Sequence, residues 1–305
     1  MHPTVHMFVH VVVALVAPPL LLGIINKTKA QVAGRVGPPL LQPYYDLVKL
    51  LRKGSVFSTT TTWIFRVSPI VGIATALVAA ALVPFGAHRA PVSFAGDLVL
   101  FAYLFGLARF FTVSAALDTG SAFCGMGGAR EATFSCLTEP ALFLGLLVLV
   151  KRSASLSVGG MLGPGLAAAW HGAGASLVLV IVSLFIVLLA ENCRIPFDDP
   201  NTHLELTMIH EVMVLDHSGP SFGMILYGAS LKLFVLGAII VRIALPVETG
   251  NPWADWGVFA GGMIALAVGI GLAESVMARL RLRQVPALLV AACLLSGFGI
   301  ILLAR

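Results

Sequence analysis

The chain has 305 residues, of which 58% are hydrophobic and only 11% are charged, and its formal net charge is +5. Soluble domains are about a quarter charged, because their surface must face water. The 19 basic and 14 acidic side chains are too few to cover such a surface. The net positive charge is also too small and too dispersed to indicate nucleic-acid binding. The composition therefore excludes a soluble protein and indicates one that uses lipid as its solvent.

A transmembrane helix needs about 20 mostly apolar residues, and stretches of this kind follow one another along the chain. Five are uncharged between their ends: the N-terminus to Lys27, Arg66 to Arg89, His171 to Glu191, Asp255 to Glu274, and Arg283 to Arg305. Two contain one internal charge: Asp97 to Asp118 with Arg109, and His217 to Arg242 with Lys232. The eighth must begin near Ala132, because the 11 residues between Glu139 and Lys151 are too few to span a bilayer.

These stretches predict an all-α, polytopic integral membrane protein with about eight transmembrane helices, organised as a single membrane domain over residues 1–305. The apolar N-terminus lacks a basic leading region and a small-residue cleavage site, so we expect it to remain as the first span. The chain shows no internal repeat, whereas many secondary transporters are built from inverted repeats.

The distribution of basic residues predicts the orientation in the membrane. The loops after the first, third, fifth and seventh spans carry twelve basic residues, against five on the opposite side. Because cytoplasmic loops are enriched in lysine and arginine, these loops are predicted to be cytoplasmic and both termini external. We expect the protein in the cell inner membrane, with the loops 26–65 and 191–219 facing a soluble partner.

Both long loops contain a predicted helix. From Leu40 to Leu51, apolar positions recur at helical spacing opposite charged ones, which is typical of an amphipathic helix at the membrane surface. In the second loop, Thr202 and Glu205 fit a capping box, and the dipeptide at Gly219 and Pro220 supplies a stop signal. The pattern predicts an extramembrane helix between them.

Charged residues inside the spans are candidates for function. A charge at the bilayer centre costs about 2.5–3.5 kcal/mol, so we expect Arg109, Glu139 and Lys232 to have a role. A carboxylate in a low dielectric can exchange protons near neutral pH, and carboxylates leading from a loop into the bundle would form a proton relay. The alternative is that Arg109 only neutralises an acid on another helix and braces the two together.

The second long loop concentrates acidic residues. It contains six of the 14 acids of the chain: Glu191, Asp198, Asp199, Glu205, Glu211 and Asp216. His210 lies among them, and an ordinary histidine pKa of about 6.5 makes it a candidate for proton transfer.

We predict no metal site and no cofactor in this chain. The four cysteines form no CxxC or CxxCH motif, which argues against iron–sulfur clusters, haem c and structural zinc. Two histidine trios share helical faces but lack the further ligands or the spacing of a metal site: His2, His6 and His10, and His203, His210 and His217. Phosphate-binding loops, dinucleotide fingerprints and nucleophile elbows are also missing from the sequence.

Three stretches carry a family resemblance. The first loop contains Gly34-Arg35-Val36-Gly37-Pro38, then Leu41-Gln42-Pro43 and Asp46-Leu47-Val48-Lys49-Leu50-Leu51. The second stretch, at the end of the fifth span, is Leu189-Ala190-Glu191-Asn192-Cys193-Arg194-Ile195-Pro196-Phe197-Asp198. The third is Arg130-Glu131 with Glu139, at the start of the fourth span. These stretches resemble subunit 1 of respiratory complex I, and the likeness covers nearly the whole chain with the same order of eight helices.

Two departures point to one branch of that family. The first motif lacks the family's following Asn-Arg, and the acid-rich Glu-x-Glu pattern after Pro200 is replaced by the run from Asn201 to Pro220. That run, with Leu117-Asp118-Thr119-Gly120-Ser121, is similar to the membrane subunits of energy-converting nickel–iron hydrogenases of the formate hydrogenlyase and hydrogenase-4 type.

The resemblance implies a membrane anchor beneath an iron–sulfur small subunit and a nickel–iron large subunit, beside an antiporter-like membrane subunit, with every redox centre in those partners. It implies a cavity mouth lined by Arg35, Gln42 and Asp46. It also implies that protons are carried or gated by Glu139, Glu191, Asp198, Glu205, Glu211 and Asp216, with pKa values set by Arg130 and Arg194.

The predicted function is therefore that of the membrane-anchoring and proton-coupling subunit of a formate hydrogenlyase-type membrane-bound hydrogenase. One alternative is the quinone-site subunit of a complex I-like NADH:quinone oxidoreductase. Two others are a free-standing ion transporter and a passive scaffold whose charges only brace the bundle.

Overall fold

The computed structural model describes residues 3–198 and 208–304, and within these ranges the chain forms helices and no strands. The helices are α1 (Pro3–Val32), α2 (Gln42–Leu51), α3 (Trp63–Leu82), α4 (Asp97–Asp118), α5 (Ala122–Ser153), α6 (Val158–Met161), α7 (Gly165–Glu191), α8 (His210–Met213), α9 (Gly219–Ala244), α10 (Pro252–Val276) and α11 (Val285–Leu302). A short 3-10 helix, Leu282–Gln284, leads into α11.

Eight of these helices, α1, α3, α4, α5, α7, α9, α10 and α11, are long and apolar enough to cross a membrane. They confirm the predicted all-α fold of a multi-pass membrane protein. Because the number of crossings is even, both described ends of the chain lie on the same side, here called the terminal side. The helices α2 and α8 lie on the opposite side, here called the loop side.

The central helix of the bundle is α9. In its most apolar stretch 67% of the residues are buried, against 28–44% in the other spans, and it contacts α1, α2, α3, α7 and α10. Polar side chains on α9 must therefore find partners inside the protein. Arg242, only 2% exposed, donates to the Leu162 carbonyl at 2.9 Å and to Glu248 at 2.7 Å.

The predicted amphipathic helix is present as α2, ten residues long and packed on α1 and α9. Pro43 lies in its first turn, where a missing N–H costs no helical hydrogen bond. The Tyr44 hydroxyl donates to the Val16 carbonyl of α1, and Gln42 donates to Asp46 at 2.8 Å. These contacts fix α2 against the loop side of the bundle.

The fourth span begins earlier than predicted. We expected it to start near Ala132, but α5 starts at Ala122 and is 32 residues long, or about 48 Å, more than the roughly 30 Å hydrocarbon core. The prediction was wrong because it counted back from Lys151 only as far as a bilayer span requires, whereas the helix continues through the charged pair Arg130 and Glu131. Both charges have partners in the fold: Arg130 donates to a backbone carbonyl at 2.8 Å, and Glu131 pairs with Arg109.

The segment between α7 and α9 is only partly described. The helix predicted between Thr202 and Gly219 falls in part on residues 199–207, which lie outside the described residues. In residues 208–218 the only helix is the single turn α8. It begins beside Asp198, whose Oδ2 accepts hydrogen bonds from the N–H groups of Ile209 at 2.8 Å and His210 at 3.2 Å, as an N-cap carboxylate does.

The turn α8 packs directly on α5. At Gly127 of α5, a Cβ atom would lie 2.3 Å from a Val212 methyl and 2.9 Å from the Ile209 carbonyl oxygen. Only a residue without a side chain therefore allows α8 to approach so closely. This approach places α8 against the loop-side end of α5 and beside α4.

On the terminal side, one buried carboxylate holds several connections together. Asp97, at the start of α4, is fully buried. Its Oδ1 accepts from the Val158 N–H at 2.6 Å, and its Oδ2 accepts from the Ser157 hydroxyl at 3.0 Å and the Phe94 N–H at 3.1 Å. The side chain therefore ties the loop before α4 to the α5–α7 connection.

We expect Asp97→Ala to destabilise the protein by about 3 kcal/mol or more, because each of three donors left unpaired costs about 1–3 kcal/mol if it stays buried. The measurement is thermal unfolding of the purified protein in detergent. Ser93→Ala is the matched control, since it removes an exposed hydroxyl that contacts the same Ser157 and should change stability by no more than about 0.5 kcal/mol. Equal unfolding of the two variants would contradict the role of Asp97.

Candidate functional site

Arg109 of α4 is surrounded by three carboxylates from α5 and α7. Its Nε donates to Glu131 at 3.3 Å, its Nη1 to Glu139 and its Nη2 to Glu191. A guanidinium presents five N–H donors in one plane, so it can bind several carboxylates at once. The side chains of Arg109 and Glu191 are only 10% and 5% exposed, which makes these ion pairs part of the protein interior.

Lys232 of α9 holds Glu191 from the other side. Its Nζ lies 2.5 Å from Glu191 Oε2 and donates to the Glu191 carbonyl at 2.8 Å. The two cations and three carboxylates, here called the Arg109 network, comprise Arg109, Glu131, Glu139, Glu191 and Lys232. When all are ionised, the network carries one net negative charge, and it joins α4, α5, α7 and α9.

The helix that carries Glu191 ends there in a tight turn. The N–H of Cys193 donates to the Ala190 carbonyl at 3.1 Å, and the N–H of Arg194 donates to the Leu189 carbonyl at 2.9 Å. This pair of hydrogen bonds is a Schellman motif, in which the residue in the left-handed conformation is usually glycine. Here that residue is Cys193, with φ at 48°, so the turn presents a thiol beside the Arg109 network.

Two adjacent cavities lie on the loop-side half of the bundle, and the inner one contains most of the network. The inner cavity, about 100 Å³, lies among the spans and is lined in part by Arg109, Glu131, Glu191 and Lys232. The outer cavity, about 320 Å³, lies on the loop side, and its charged lining residues are Lys29, Asp46, Arg194, Asp198 and Glu211. Asn192, Cys193 and His210 line both and form the wall between them, here called the cavity wall. Polar cavities of these sizes have room for several waters.

Glu139 lies at the edge of the network. Its side chain is 46% exposed on the flank of the bundle, although it belongs to a membrane span and pairs with Arg109. Cys136, three residues earlier on α5, is also exposed. Residues three apart on a helix share a face, so a carboxylate and a thiol lie close together on this lateral surface.

Two further buried acids near the outer cavity are paired with basic residues. Glu274 of α10, with a side chain 1% exposed, binds Lys29 at 2.7 Å and Arg194 at 3.3 Å. Asp198, with a side chain 2% exposed, binds Arg279 at 2.9 Å. These pairs connect the segment after α7 to α1 and to the loop after α10.

The structure separates the residues predicted at the cavity mouth. Asp46 lines the outer cavity, and Gln42 binds Asp46 beside it. Arg35 is exposed in the turn between α1 and α2.

The predicted loop residues also differ in position. Glu211 lines the outer cavity, Asp216 is exposed, and Glu205 lies outside the described residues. The predicted charge partner Arg194 binds Glu274, and Arg130 donates to the backbone near α8.

Burial changes the pKa values of groups near α8. It lowers the pKa of His210, so the imidazole is neutral at pH 7 and can accept a proton at one ring nitrogen while giving one from the other. Burial also raises the pKa of the Cys193 thiol well above its ordinary value. His217 stacks on Phe65 with ring centroids 3.8 Å apart, and burial lowers its pKa to about 4.

Sequence reasoning did not select four residues that the structure places in these ion pairs: Glu131, Glu274, Lys29 and Arg279. Glu131 lies eight residues before Glu139, about two helical turns, and this spacing could have indicated a shared face of α5. Glu274 and Lys29 stand at the ends of predicted spans. Nothing in the sequence indicates that they meet, since α1 and α10 are far apart along the chain.

A model of the NADH dehydrogenase family matches residues 4–304 of the chain. Formate hydrogenlyase subunit 4 of Escherichia coli is 33% identical over 305 aligned residues, which cover 97% of this chain and 95% of that protein. Hydrogenase-4 component C of Escherichia coli is 34% identical over 235 residues, covering 77% of this chain and 73% of that one. The family model and the first of these relatives match nearly all of the chain, and the second relative matches about three quarters of it.

The fold also matches a chain in the structure of the membrane-bound sulfane sulfur reductase, an archaeal respiratory membrane complex. The TM-score is 0.81 at 21% sequence identity, and the match covers 99% of both chains. At this identity the likeness shows the fold alone.

We expect Arg109→Gln to destabilise the protein by about 3–5 kcal/mol, because removing one partner of a buried ion pair leaves uncompensated charge behind. Thermal unfolding in detergent measures the effect. Arg89→Gln, on the exposed surface of the terminal side, should shift stability by no more than about 0.5 kcal/mol. The double variant Arg109→Gln with Glu191→Gln should lose less than the sum of the two single changes; strict additivity would show that the pair does not interact.

Proposed function

The chain belongs to the NADH dehydrogenase family, as a membrane subunit of the complex I and hydrogenase type, and from this membership we propose a specific role. It is the membrane-anchoring and proton-coupling subunit of a formate hydrogenlyase-type membrane-bound hydrogenase. The observation that carries the proposal is the position of Glu191, held between Arg109 and Lys232 in the inner cavity, directly before Asn192 and Cys193 of the cavity wall. The near full-length similarity to formate hydrogenlyase subunit 4 supports the assignment to this branch.

In this role the loop side faces the cytoplasm and docks the iron–sulfur small subunit, which in turn holds the nickel–iron large subunit. The excess of lysine and arginine in the loops on this side supports the orientation. Both termini are then external and the membrane is the inner membrane of the cell. Electron transfer takes place in the partners, and this chain binds and moves protons.

The geometry supports a proton route from the loop side inwards. Protons enter the outer cavity, which Asp46, Asp198 and Glu211 line. They pass the cavity wall at His210, whose neutral ring can accept and donate. Beyond it lies the inner cavity with Glu191.

Coupling follows from the place of Glu191 in the chain. It is the last residue of α7, and the loop that Asp198 anchors begins directly after it. A displacement of that loop by a redox change in the docked subunit would move the Glu191 carboxylate relative to Arg109 and Lys232. The number of cations in contact then changes, and with it the proton affinity of the carboxylate.

The route leaves the chain at Glu139. Arg109 contacts both Glu191 and Glu139, so the two carboxylates lie on either side of one guanidinium. A carboxylate that is 46% exposed in a span would face hydrocarbon if nothing covered it. An adjacent antiporter-like membrane subunit on this flank would cover Glu139 and receive the proton.

A second candidate is the quinone-site subunit of a complex I-like oxidoreductase. The observation that favours it is the outer cavity, which at about 320 Å³ lies within the usual range for small-molecule sites. Inhibition of the intact complex by quinone-site inhibitors would support this candidate over the hydrogenase. A free-standing ion transporter, by contrast, would purify without partner subunits and move ions in liposomes.

We expect Glu191→Gln to lower proton-coupled hydrogen evolution in the intact complex by about a hundredfold, the lower end of the effect of losing a positioned proton-transfer group. Glutamine keeps the size of the side chain but cannot carry the proton. Asp118→Asn, at the loop-side end of α4, is the control and should retain activity. If Glu191→Gln assembled normally with unchanged activity and unchanged dependence on membrane energisation, Glu191 would be a brace and not a proton carrier.

We expect a benzophenone maleimide, attached to Cys136 in native membranes and then photoactivated, to cross-link Cys136 to another membrane subunit, because Cys136 is exposed on the same flank as Glu139. Mass spectrometry of the product identifies the subunit, and Cys136→Ser should abolish the product. Maleimide labelling of Cys136 without any cross-link to a protein would contradict a subunit on this flank.

A further inference from the structure

Three side chains of different chemistry converge at the junction of the two cavities. The carboxylate of Glu131, the thiol of Cys193 and the imidazole of His210 have ligand atoms that all lie within 4.8 Å of one another. They come from three separate segments: α5, the turn after α7, and α8. None was expected to bind a metal from the sequence, because no two of them are close along the chain.

We propose that Glu131, Cys193 and His210 form a binding site for a zinc ion. A thiolate, an imidazole and a carboxylate are the three ligand types that zinc takes in proteins, and three protein ligands with a water in the fourth position make a tetrahedral site. Bond lengths of about 2.0–2.3 Å place tetrahedral ligand atoms roughly 3.5 Å apart. A shift of the ligand atoms by about 1 Å, through rotation of their side chains, would therefore close the site around an ion.

The charge of the surroundings suits a divalent cation. The Arg109 network carries three carboxylates and two cations, and so one negative charge. Ionisation of the Cys193 thiol, which accompanies metal binding, adds a second. A zinc ion would bring this group to neutrality, although Glu131 must then be shared between the ion and Arg109, 3.3 Å away.

The backbone at Cys193 supports a role for its thiol. The residue occupies the left-handed position of a Schellman turn, with φ at 48°, where glycine is the favoured residue. A non-glycine residue held in this conformation costs about 1–3 kcal/mol. The sequence therefore has a thiol at a position where glycine would make the turn more stable.

A bound ion would fix the cavity wall. It would join α5, the turn after α7 and α8 through Glu131, Cys193 and His210, and the last two of these residues line both cavities. On the proposed proton route this is the step between the outer and inner cavities, so an ion here would regulate passage. The binding itself does not depend on that route, and it is measured without turnover.

The first experiment uses the purified full-length chain, stripped with a chelator and titrated with Co²⁺ as a spectroscopic substitute for zinc. We expect saturation at one ion per chain, a thiolate-to-cobalt charge-transfer band in the near ultraviolet, and loss of the band when Zn²⁺ is added. Absence of the charge-transfer band, or uptake that does not saturate, would overturn the proposal.

The second experiment compares variants by equilibrium dialysis with Zn²⁺ and by thermal unfolding. Cys193→Gly removes the ligand but suits the left-handed turn, so the metal-free protein should unfold at the same temperature as the wild type or higher. We expect its zinc affinity to fall by about tenfold or more, and zinc to stabilise the wild type but not the variant. Cys136→Ser is the control and should bind zinc normally.

Unchanged zinc affinity in Cys193→Gly would overturn the site, whatever the outcome for hydrogen evolution. His210→Gln, which keeps a polar side chain at α8, should weaken zinc binding by a similar factor. A normal affinity in that variant would also contradict the proposed ligand set. The relay proposal is tested separately, by Glu191→Gln, which is not one of the three ligands.

Discussion

The arrangement of the bundle depends on one buried guanidinium that compensates three carboxylates. Arg109 and the acids around it each need a partner of opposite charge, because an isolated charge in a membrane span costs several kcal/mol. Their mutual compensation places α4, α5 and α7 around a single point, and Lys232 of the central helix α9 completes it. Because the network has three acids and two bases, it carries a net negative charge when all five are ionised. That charge attracts both protons and metal cations.

A second constraint links this point to the loop side of the protein. The helix α7 ends at Glu191, and Asp198, a few residues later, caps α8 and binds Arg279. Because Gly127 lets α8 lie directly on α5, the segment after α7 is held against the same helix that carries Glu131. A partner docked on this segment, as proposed, would act on the Arg109 network through a short, well-packed connection.

The cavity wall gives the two proposals a common physical basis. Asn192, Cys193 and His210 lie between the outer cavity on the loop side and the inner cavity with its carboxylates. A neutral imidazole in this position can pass a proton, and the same imidazole with a thiol and a carboxylate can hold a metal ion. The two uses exclude each other at any moment, because a nitrogen bound to a metal cannot accept a proton.

Hydropathy and charge placement in the sequence were sufficient for the all-α class, the eight spans, the surface helix α2 and the location of Arg109, Glu139 and Lys232 inside spans, because the energetics of a bilayer act on each segment separately. They were insufficient for the start of α5, since Glu131 is tolerated in that helix only because Arg109 from α4 pairs with it. Likewise, the pairing of Glu274 with Lys29 and the convergence of Glu131, Cys193 and His210 join segments that are remote along the chain. Such contacts depend on how the helices pack, and only the tertiary structure decides them.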